Sequence, residues 1–539
     1  MRARILILVA LGAVLALPFL LRPEQRETQA TDDTLVLITP HNEALRSEFG
    51  QGFKTWYRAK TGRTVTIDWR VIGGTSEITR FLEGEYISSF QRYWTQTLKR
   101  DWNLDVQAGF QNGKLSSDAP ALIKEARAAF LESQVGCGID LFFGGGTYDF
   151  IRQAQAGRLV DSGLLKLHPE WFTDEVIPHD FAGEEYWDKK GLWIGTVLSS
   201  YGLLYNKDSL RRLGVQEAPR QWTDLKNPQL RGEIALANPT KSSSIAKVFE
   251  NIIQQQMQRR LRALQESEPK GDAHALEAKA VREGWLEGLK LLQLIGANAR
   301  YFTDTSQKPP IDVSQGDSAV GLCIDFYGRQ QAEAVLRRGD SNRLSYVAPR
   351  GGSVSSVDPV ALLRGAPHRE VAVAFIEYVL SMDGQKLWNF RPGTPGGPQR
   401  FALRRLPVRK DFYRQAEFKP YLTDPDDAPF DDISDRLVYH SSWTGGLFSE
   451  TAFVVRVMCL DAHRELVHAW KTVSEAGQPP EALAALQDMS RVSYDEVSTR
   501  VKQRLGAKNK VEQIELAREL GNAFREQYAR AEALARQVR

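Results

Sequence analysis

Three consecutive glycines, Gly144, Gly145 and Gly146, follow a short apolar stretch and precede an amphipathic helical pattern. Glycine lets the backbone take positive φ and brings N–H groups close to a ligand, at the end of a helix where the dipole is positive. We expect Thr147 to cap this helix. The segment therefore predicts an anion cradle, although a tight turn without a ligand also explains it when it is taken alone.

A second segment of this kind, residues 237–244, reads Ala-Asn-Pro-Thr-Lys-Ser-Ser-Ser and comes directly after a short apolar run. Apolar residues recur at helical spacing from residue 245 to residue 253, so a helix is predicted to begin at the serines. Hydroxyls and free N–H groups at that end could hold an anion. Ordinary helix capping needs only one of them and leaves the others and Lys241 unexplained.

Both segments lie in an alternation of strands and helices. Strands are predicted at residues 34–38, 64–69 and 139–143, and each is followed by a polar or glycine-rich turn and a helix. This rhythm predicts a mostly parallel sheet flanked by helices, with ligands bound beyond the carboxyl ends of the strands. A second α/β unit has strands near residues 233 and 319. An aromatic and charged segment, residues 84–135, interrupts the pattern as an insertion.

The organisation predicted from this pattern is two α/β lobes with a hinge, because the chain passes between them at least twice. Residues 31–197 with 345–400 form lobe 1, and residues 198–344 with 401–460 form lobe 2. Residues 461–539 are rich in Ala, Arg, Glu and Leu and form a helical C-terminal extension. That extension could be a cap, a docking surface or a packed appendix, and the packed interpretation is the simplest.

Composition narrows the class of protein. The chain has 539 residues, 42% hydrophobic and 25% charged, which is the composition of a globular protein. Its formal charge of +3 does not indicate nucleic-acid binding. Residues 5–21 are uncharged and apolar, so residues 1–30 are either a signal peptide or an uncleaved N-terminal membrane anchor. The three cysteines are too widely spaced for a metal site.

Catalytic motifs are missing from the sequence. We find no Gly-x-Ser-x-Gly elbow, no Walker loop and no His-Glu-x-x-His helix. His463 and His468 are five residues apart, which places them about 140° apart around a helix and argues against a zinc pair. The sequence predicts neither an enzyme nor a cofactor.

Several segments together resemble the extracellular solute-binding proteins of ABC importers, over roughly residues 34–420. They are Asp140 to Gly146, Gln153 to Val160, Tyr205 to Asp208, Pro239 to Ser244, Phe375 to Gln385 and Leu406 to Arg409. The resemblance is to the subgroup that binds ferric iron or phosphorylated compounds. It implies the two-lobed type II periplasmic-binding fold, plus helical insertions, and a monomer in the periplasm that delivers a small solute to an ABC permease in the inner membrane.

The resemblance and the turns together suggest a set of solute-binding residues. We expect one anionic head, a phosphate, phosphonate or carboxylate, to be held between the glycine turn and the serine turn, while residues at the interlobe crossing contact the rest of the solute. The predicted set is His41, Asn42, Gly74, Thr75, Gly145, Gly146, Thr147, Ser199, Ser200, Tyr201, Thr240, Ser242, Ser243, Asp325, Tyr327 and Asp358.

Two alternatives stay open. In a ferric-iron binder, His41 falls where the family has an iron-ligand histidine, but the family's tyrosine pair aligns with Phe326 and Tyr327, so one phenolate is missing. Ferric iron prefers several anionic oxygen ligands, and His41 and Tyr327 alone would bind it poorly. The other alternative is a membrane-tethered ligand sensor that reports occupancy through its helical C-terminus.

Overall fold

Two α/β lobes dominate the computed structural model, which describes residues 31–339, 342–431, 436–506 and 510–538. The predicted signal peptide or membrane anchor, residues 1–30, lies outside these residues. Among the described residues, no helix has both the length and the apolar character needed to cross a membrane. The α/β class with two lobes, predicted from the sequence, is confirmed.

The strands, numbered along the chain, are β1 Asp33–Ile38, β2 Val65–Arg70, β3 Leu141–Phe143, β4 Leu159–Val160, β5 Asp180–Phe181, β6 Glu184–Glu185, β7 Ile194–Ser199, β8 Tyr201–Asn206, β9 Ile234–Ala237, β10 Ala299–Thr303, β11 Val320–Ile324, β12 Leu344–Val347, β13 Ser356–Leu363 and β14 Leu406–Pro407.

The α-helices are α1 Glu43–Thr61, α2 Thr75–Arg92, α3 Leu104–Phe110, α4 Ala121–Glu132, α5 Thr147–Ala156, α6 Leu164–Leu167, α7 Lys207–Arg212, α8 Ser243–Ser267, α9 Ala273–Ala297, α10 Lys308–Gln315, α11 Asp325–Arg337, α12 Arg369–Leu380, α13 Met382–Asn389, α14 Lys410–Tyr413, α15 Ser441–Thr444, α16 Phe448–Val455, α17 His463–Glu475, α18 Pro480–Leu486, α19 Tyr494–Glu496, α20 Lys502–Leu505 and α21 Lys510–Gln537.

The first lobe contains a sheet in the order β14-β7-β13-β3-β1-β2, with β4 also paired to β13. Its parallel strands β1, β2 and β3 are the ones that the alternating pattern predicts, and Leu37 of β1 lies opposite Trp69 of β2 and Leu141 of β3. Their carboxyl ends therefore bring the turns before α1, α2 and α5 to one edge of the sheet, which faces the second lobe.

The second lobe contains a sheet in the order β10-β9-β11-β8-β12. Within the described residues, the chain passes between the lobes at two places. A single residue, Ser200, separates β7 from β8, and residues 348–355 separate β12 from β13. Phe430 packs on the first core and Leu437 is buried in the second, so these two residues also belong to different lobes. Connections of this kind allow a hinge.

Strand pairing corrects the predicted lobe boundaries at three places. Strand β7 still pairs with β13 at Leu198 and Ser199, so the chain has not left the first lobe at residue 198. Strand β12 pairs antiparallel with β8, so the chain has not returned to the first lobe at residue 345. Strand β14 pairs with β7, so the chain has not left the first lobe at residue 401. Both are short strands at the edge of their sheets, and such strands carry little sequence information about the sheet they join.

The C-terminal helices are part of the second lobe's core. Leu466, Trp470 and Phe524 are buried in one hydrophobic cluster with residues of β9, α8 and α9. The indole N–H of Trp470 donates to Asn298 at 2.8 Å, at the end of α9. Residues 461–506 and 510–538 are therefore a packed part of this lobe, as the simplest of the three interpretations proposed.

Candidate functional site in the interlobe cleft

The glycine turn and the serine turn face each other across the two lobes. Ser243, the first residue of α8, lies 2.7 Å from the Thr75 hydroxyl at the start of α2, oxygen to oxygen. Its hydroxyl also donates to the carboxylate of Asp149 in α5, at 2.8 Å. Gly145 has a φ of 116°, and a Cβ there would come within 2.2 Å of the Thr75 methyl group. We call Thr75, Asp149 and Ser243 the interlobe serine contact.

Asp149 supplies the carboxyl group at this contact. Its carboxyl is buried, and burial raises its pKa, while hydrogen bonds from Ser243 and Thr75 act in the opposite direction. A carboxyl group of the protein therefore stands at the N-terminus of α8, where the sequence predicted the anionic head of a solute. Here the Ser243 hydroxyl binds the opposite lobe, so this contact holds the two lobes together.

Five of the predicted site residues have local roles at helix starts. Asn42 and Ser242 cap α1 and α8, each accepting from the backbone N–H three residues on, at 3.1 and 3.4 Å. The Thr240 hydroxyl donates to Asn238 at 2.8 Å. The expectation that Thr147 caps its helix is wrong, because the N-cap is Gly146 and no side chain caps α5. Gly74 is likewise the N-cap residue of α2.

Arg405 is the centre of a second group of predicted residues, although the sequence analysis did not select it. Its side chain is 1% exposed. Its Nη1 lies 2.8 Å from Asp358 Oδ2, and its Nη2 donates to the Ser199 hydroxyl, which in turn donates to Asp358 at 2.9 Å. The guanidinium carbon lies 4.4 Å from the Phe326 ring centre and 5.4 Å from the Trp388 ring centre. We call this group the arginine cluster.

Two polar atoms at the arginine cluster make no hydrogen bond with a residue that the structure describes. They are Nε of Arg405, whose Nη1 is in the ion pair with Asp358, and Nε2 of His41. The His41 ring packs near Trp388, with ring centres 6.5 Å apart. Buried polar groups are normally satisfied, so unpaired ones of this kind are expected where a ligand binds.

His41 is neutral at physiological pH. Burial, followed by the positive charge of Arg405, lowers its pKa to about 3. Gly144, with a φ of 90°, leaves room for the imidazole, since a Cβ there would come within 2.1 Å of its Nε2. The neutral ring can donate one hydrogen bond or accept one, and it adds no charge to the site.

Asp325 connects the arginine cluster to the hinge. It is buried at the start of α11 and accepts from the Ser200 hydroxyl at 3.1 Å. Burial raises its pKa, and the charges of Arg329 and Arg405 oppose that rise. Asp325 and Arg329 line a cavity of about 350 Å³, together with Leu198, Ser199, Ser200, Ala348, Pro349, Arg350, Ser353, Ser355, Leu406, Asp427, Ala428, Pro429 and Arg436.

The remaining two predicted residues lie close by. Burial raises the pKa of the Tyr327 phenol to about 12, and the nearby Arg405 charge opposes this rise. The Tyr201 hydroxyl lies 3.1 Å from the Ser356 hydroxyl, between two of the connections that join the lobes. Among the described residues, no group of three or more His, Cys, Asp or Glu side chains is placed to hold a metal ion.

The sequence analysis missed Arg405 and Asp149, the two residues on which the two groups converge. Arg405 had a usable signal, because Arg404 and Arg405 interrupt the otherwise apolar run of residues 401–408. Asp149 had none, since an acidic residue in the first turn of a helix is common and stabilises the helix dipole.

Residues 139–412 match the sequence profile of a family described as bacterial extracellular solute-binding protein. The match covers 274 of 539 residues, just over half of the chain. The chain belongs to this family. The resemblance inferred from the sequence is therefore confirmed, and the two facing lobes described above are those of an extracellular solute-binding protein.

Three relatives have sequences similar to this solute-binding protein. An uncharacterized protein of Haemophilus influenzae is 24% identical over 249 residues, covering 46% of this chain and 60% of the relative. Phosphoglycerate transport regulatory protein PgtC of Salmonella typhimurium is 25% identical over 196 residues, or 36% and 40%. Iron uptake protein A2 of Synechocystis is 25% identical over 254 residues, or 45% and 62%. The matched part of this chain therefore covers less than two thirds of the length of each of these three relatives.

Proposed function

We propose that this protein captures a small anionic solute, bearing a phosphate, phosphonate or carboxylate group, between its two lobes in the periplasm and presents it to an ABC permease. Membership of the solute-binding family supports capture without catalysis. The solute would bridge the lobes and favour the closed form, because a ligand shifts an equilibrium toward the state that it binds more tightly. The permease would then recognise that closed form.

The observation that carries the proposal is the buried guanidinium of Arg405. Its Nε makes no hydrogen bond to a described residue, its Nη1 is in an ion pair with Asp358, and a neutral imidazole with an unpaired Nε2 lies near it. A buried cation with a donor still available is suited to an oxyanion, since charge-assisted hydrogen bonds are about twice as strong as neutral ones. The name of PgtC, which refers to phosphoglycerate, agrees with an anionic solute.

Ferric iron is the second candidate, favoured by the name of the Synechocystis relative and by His41 and Tyr327. The local charges argue against it. A trivalent cation would have to bind near the buried guanidinium of Arg405, and Asp358 is already paired with that group. The phenol of Tyr327 would have to ionise although its pKa is raised to about 12.

A sensor function has less support, because the C-terminal helices that would transmit the signal share a hydrophobic core with the second lobe. They move with that lobe rather than as a separate output module. A permease partner needs only the surfaces of the two lobes.

The test is a calorimetric screen of phosphate esters, phosphonates, dicarboxylates and ferric salts against the protein. We then expect the variant Arg405→Gln with Asp358→Asn, which leaves no buried charge unpaired, to bind the best organic anion 10- to 150-fold more weakly. That range corresponds to a loss of about 1.5–3 kcal/mol for hydrogen bonds to a charged group.

The exposed substitution Arg464→Gln is the control and should leave the affinity unchanged, because its side chain is 88% exposed. Tight ferric binding with the colour of tyrosinate coordination, together with no response to organic anions, would reverse the proposal in favour of iron.

A further inference from the structure

Four arginines surround a second, more open pocket. It has a volume of about 370 Å³ and lies between helix α11 and the segment that precedes β14. Its lining comprises Glu333, Arg337, Arg391, Pro392, Arg400, Arg404 and Thr423. We call it the basic pocket. The volume is that of a small-molecule site rather than of a surface for a folded partner.

The carboxylates at the basic pocket already form ion pairs with arginines of the protein. Glu333 pairs with Arg337 and, at 3.3 Å, with Arg404. Asp424, beside the pocket, pairs with Arg404 and, at 3.5 Å, with Arg329. Arg329 also pairs with Asp427, so three carboxylates balance three guanidinium groups, and none of these carboxylates is left over for the other two arginines of the pocket.

The side chains of Arg391 and Arg400 add two further positive charges. Neither makes an ion pair with a carboxylate in the part of the chain that the structure describes, and both are exposed. The guanidinium carbon of Arg400 lies 4.8 Å from the centre of the neighbouring Phe401 ring. The positive charge of the pocket therefore comes from these two guanidinium groups, which repel each other unless an anion lies between them.

The walls of the basic pocket come from both lobes. The backbone N–H groups of Gln399, Arg400 and Phe401 donate to the buried carboxylate of Glu48 at 2.7, 2.7 and 2.8 Å, which fixes this segment to α1 of the first lobe. Arg337 lies on α11 of the second lobe. An anion in the pocket would therefore contact both lobes and favour their closed arrangement.

The backbone at Arg404 supports a built site. Arg404 has a φ of 52°, in the left-handed region that a non-glycine residue rarely adopts. This conformation directs Arg404 to Glu333 and Asp424 on the pocket wall, while the next residue, Arg405, enters the arginine cluster. A backbone conformation of this kind costs energy and persists only where the surrounding structure imposes it, and such conformations are frequent at ligand sites.

We propose that the basic pocket is a second anion site, separate from the arginine cluster, and that it binds a small phosphate-type oxyanion with two or more negative charges. The inference does not depend on the proposed function of the arginine cluster. Because Arg337, Arg391 and Arg400 are exposed, salt weakens binding there strongly, whereas a solute held by the buried Arg405 is much less sensitive to salt.

The test is calorimetric titration of the protein with inorganic pyrophosphate, in low salt and again in high salt. We expect saturable binding in low salt that weakens at least tenfold in high salt. The double variant Arg391→Gln, Arg400→Gln should lose at least tenfold in affinity. The matched control Arg211→Gln, Arg464→Gln removes the same charge from arginines that are 78% and 88% exposed elsewhere, and it should change the affinity less than twofold.

The variant Arg405→Gln with Asp358→Asn separates the two sites, because it removes the arginine cluster without leaving Asp358 unpaired, and it should leave pyrophosphate binding unchanged. Three results would each refute the second site. They are the absence of saturable binding by the unmodified protein in low salt, an equal loss in the control and in the Arg391→Gln, Arg400→Gln variant, and a loss that occurs in the Arg405→Gln, Asp358→Asn variant and not in the Arg391→Gln, Arg400→Gln variant. The last result would mean that pyrophosphate enters the arginine cluster instead.

Discussion

Replacing Ser243 by alanine should open the interlobe cleft. The substitution removes the 2.7 Å contact with Thr75 and the 2.8 Å hydrogen bond to Asp149, and both join the lobes. A neutral hydrogen bond contributes about 1 kcal/mol and one to a charged group about 1.5–3 kcal/mol, so the closed form should lose about 3 kcal/mol. This corresponds to a change of roughly 100-fold in the closure equilibrium.

Small-angle X-ray scattering of the solute-free protein measures the effect as a larger radius of gyration. Calorimetry with the best anionic solute provides a second measurement, because affinity falls with the fraction of binding-competent protein. Neighbouring Ser242 is the matched control. Its hydroxyl caps α8 within one lobe, so Ser242→Ala should lower the free energy of unfolding by about 1 kcal/mol and leave the radius of gyration unchanged.

The reasoning fails if Ser243→Ala retains both the radius of gyration and the solute affinity of the unmodified protein. It also fails if both serine variants open the cleft equally, because helix capping rather than contact between the lobes would then explain the result.

Two further predictions concern stability. The pKa of His41 is lowered from 6.5 to about 3, so the unfolded chain takes up a proton between those values and stability falls as the pH decreases through that window. At pH 5 the loss of unfolding free energy is about 2 kcal/mol. Denaturant titrations at pH 7 and pH 5 should show this loss in the unmodified protein and not in His41→Asn. The same pH dependence in both proteins would contradict the lowered pKa. Trp470→Ala should lower the free energy of unfolding by about 3–5 kcal/mol, because the ring is 2% exposed and its N–H binds Asn298. The control Leu167→Ala, at an exposed residue, should lower it little. Equal denaturation midpoints for the two variants would show that the C-terminal helices are not part of the core.

Local patterns were enough to predict the α/β class and the turns that carry the site. The strands before His41 and before the Gly144 turn can be recognised because they are short, apolar and largely buried, and the strand before Gly74 because its apolar and polar residues alternate. Each is followed by residues that favour helix starts. Parallel pairing then brings these turns to one edge of the sheet. The family could be inferred for the same reason, since its short motifs keep their order along the chain.

Only the tertiary structure decided what those turns contact. Asp149 and Ser243 are 94 residues apart in the chain, and Arg405 and Ser199 are 206 apart, so no local periodicity links them. The sequence established that glycines and hydroxyls gather where an anion could bind. Whether that anion is a solute or the protein's own carboxylate depends on which lobe surfaces meet, and long-range packing fixes that choice.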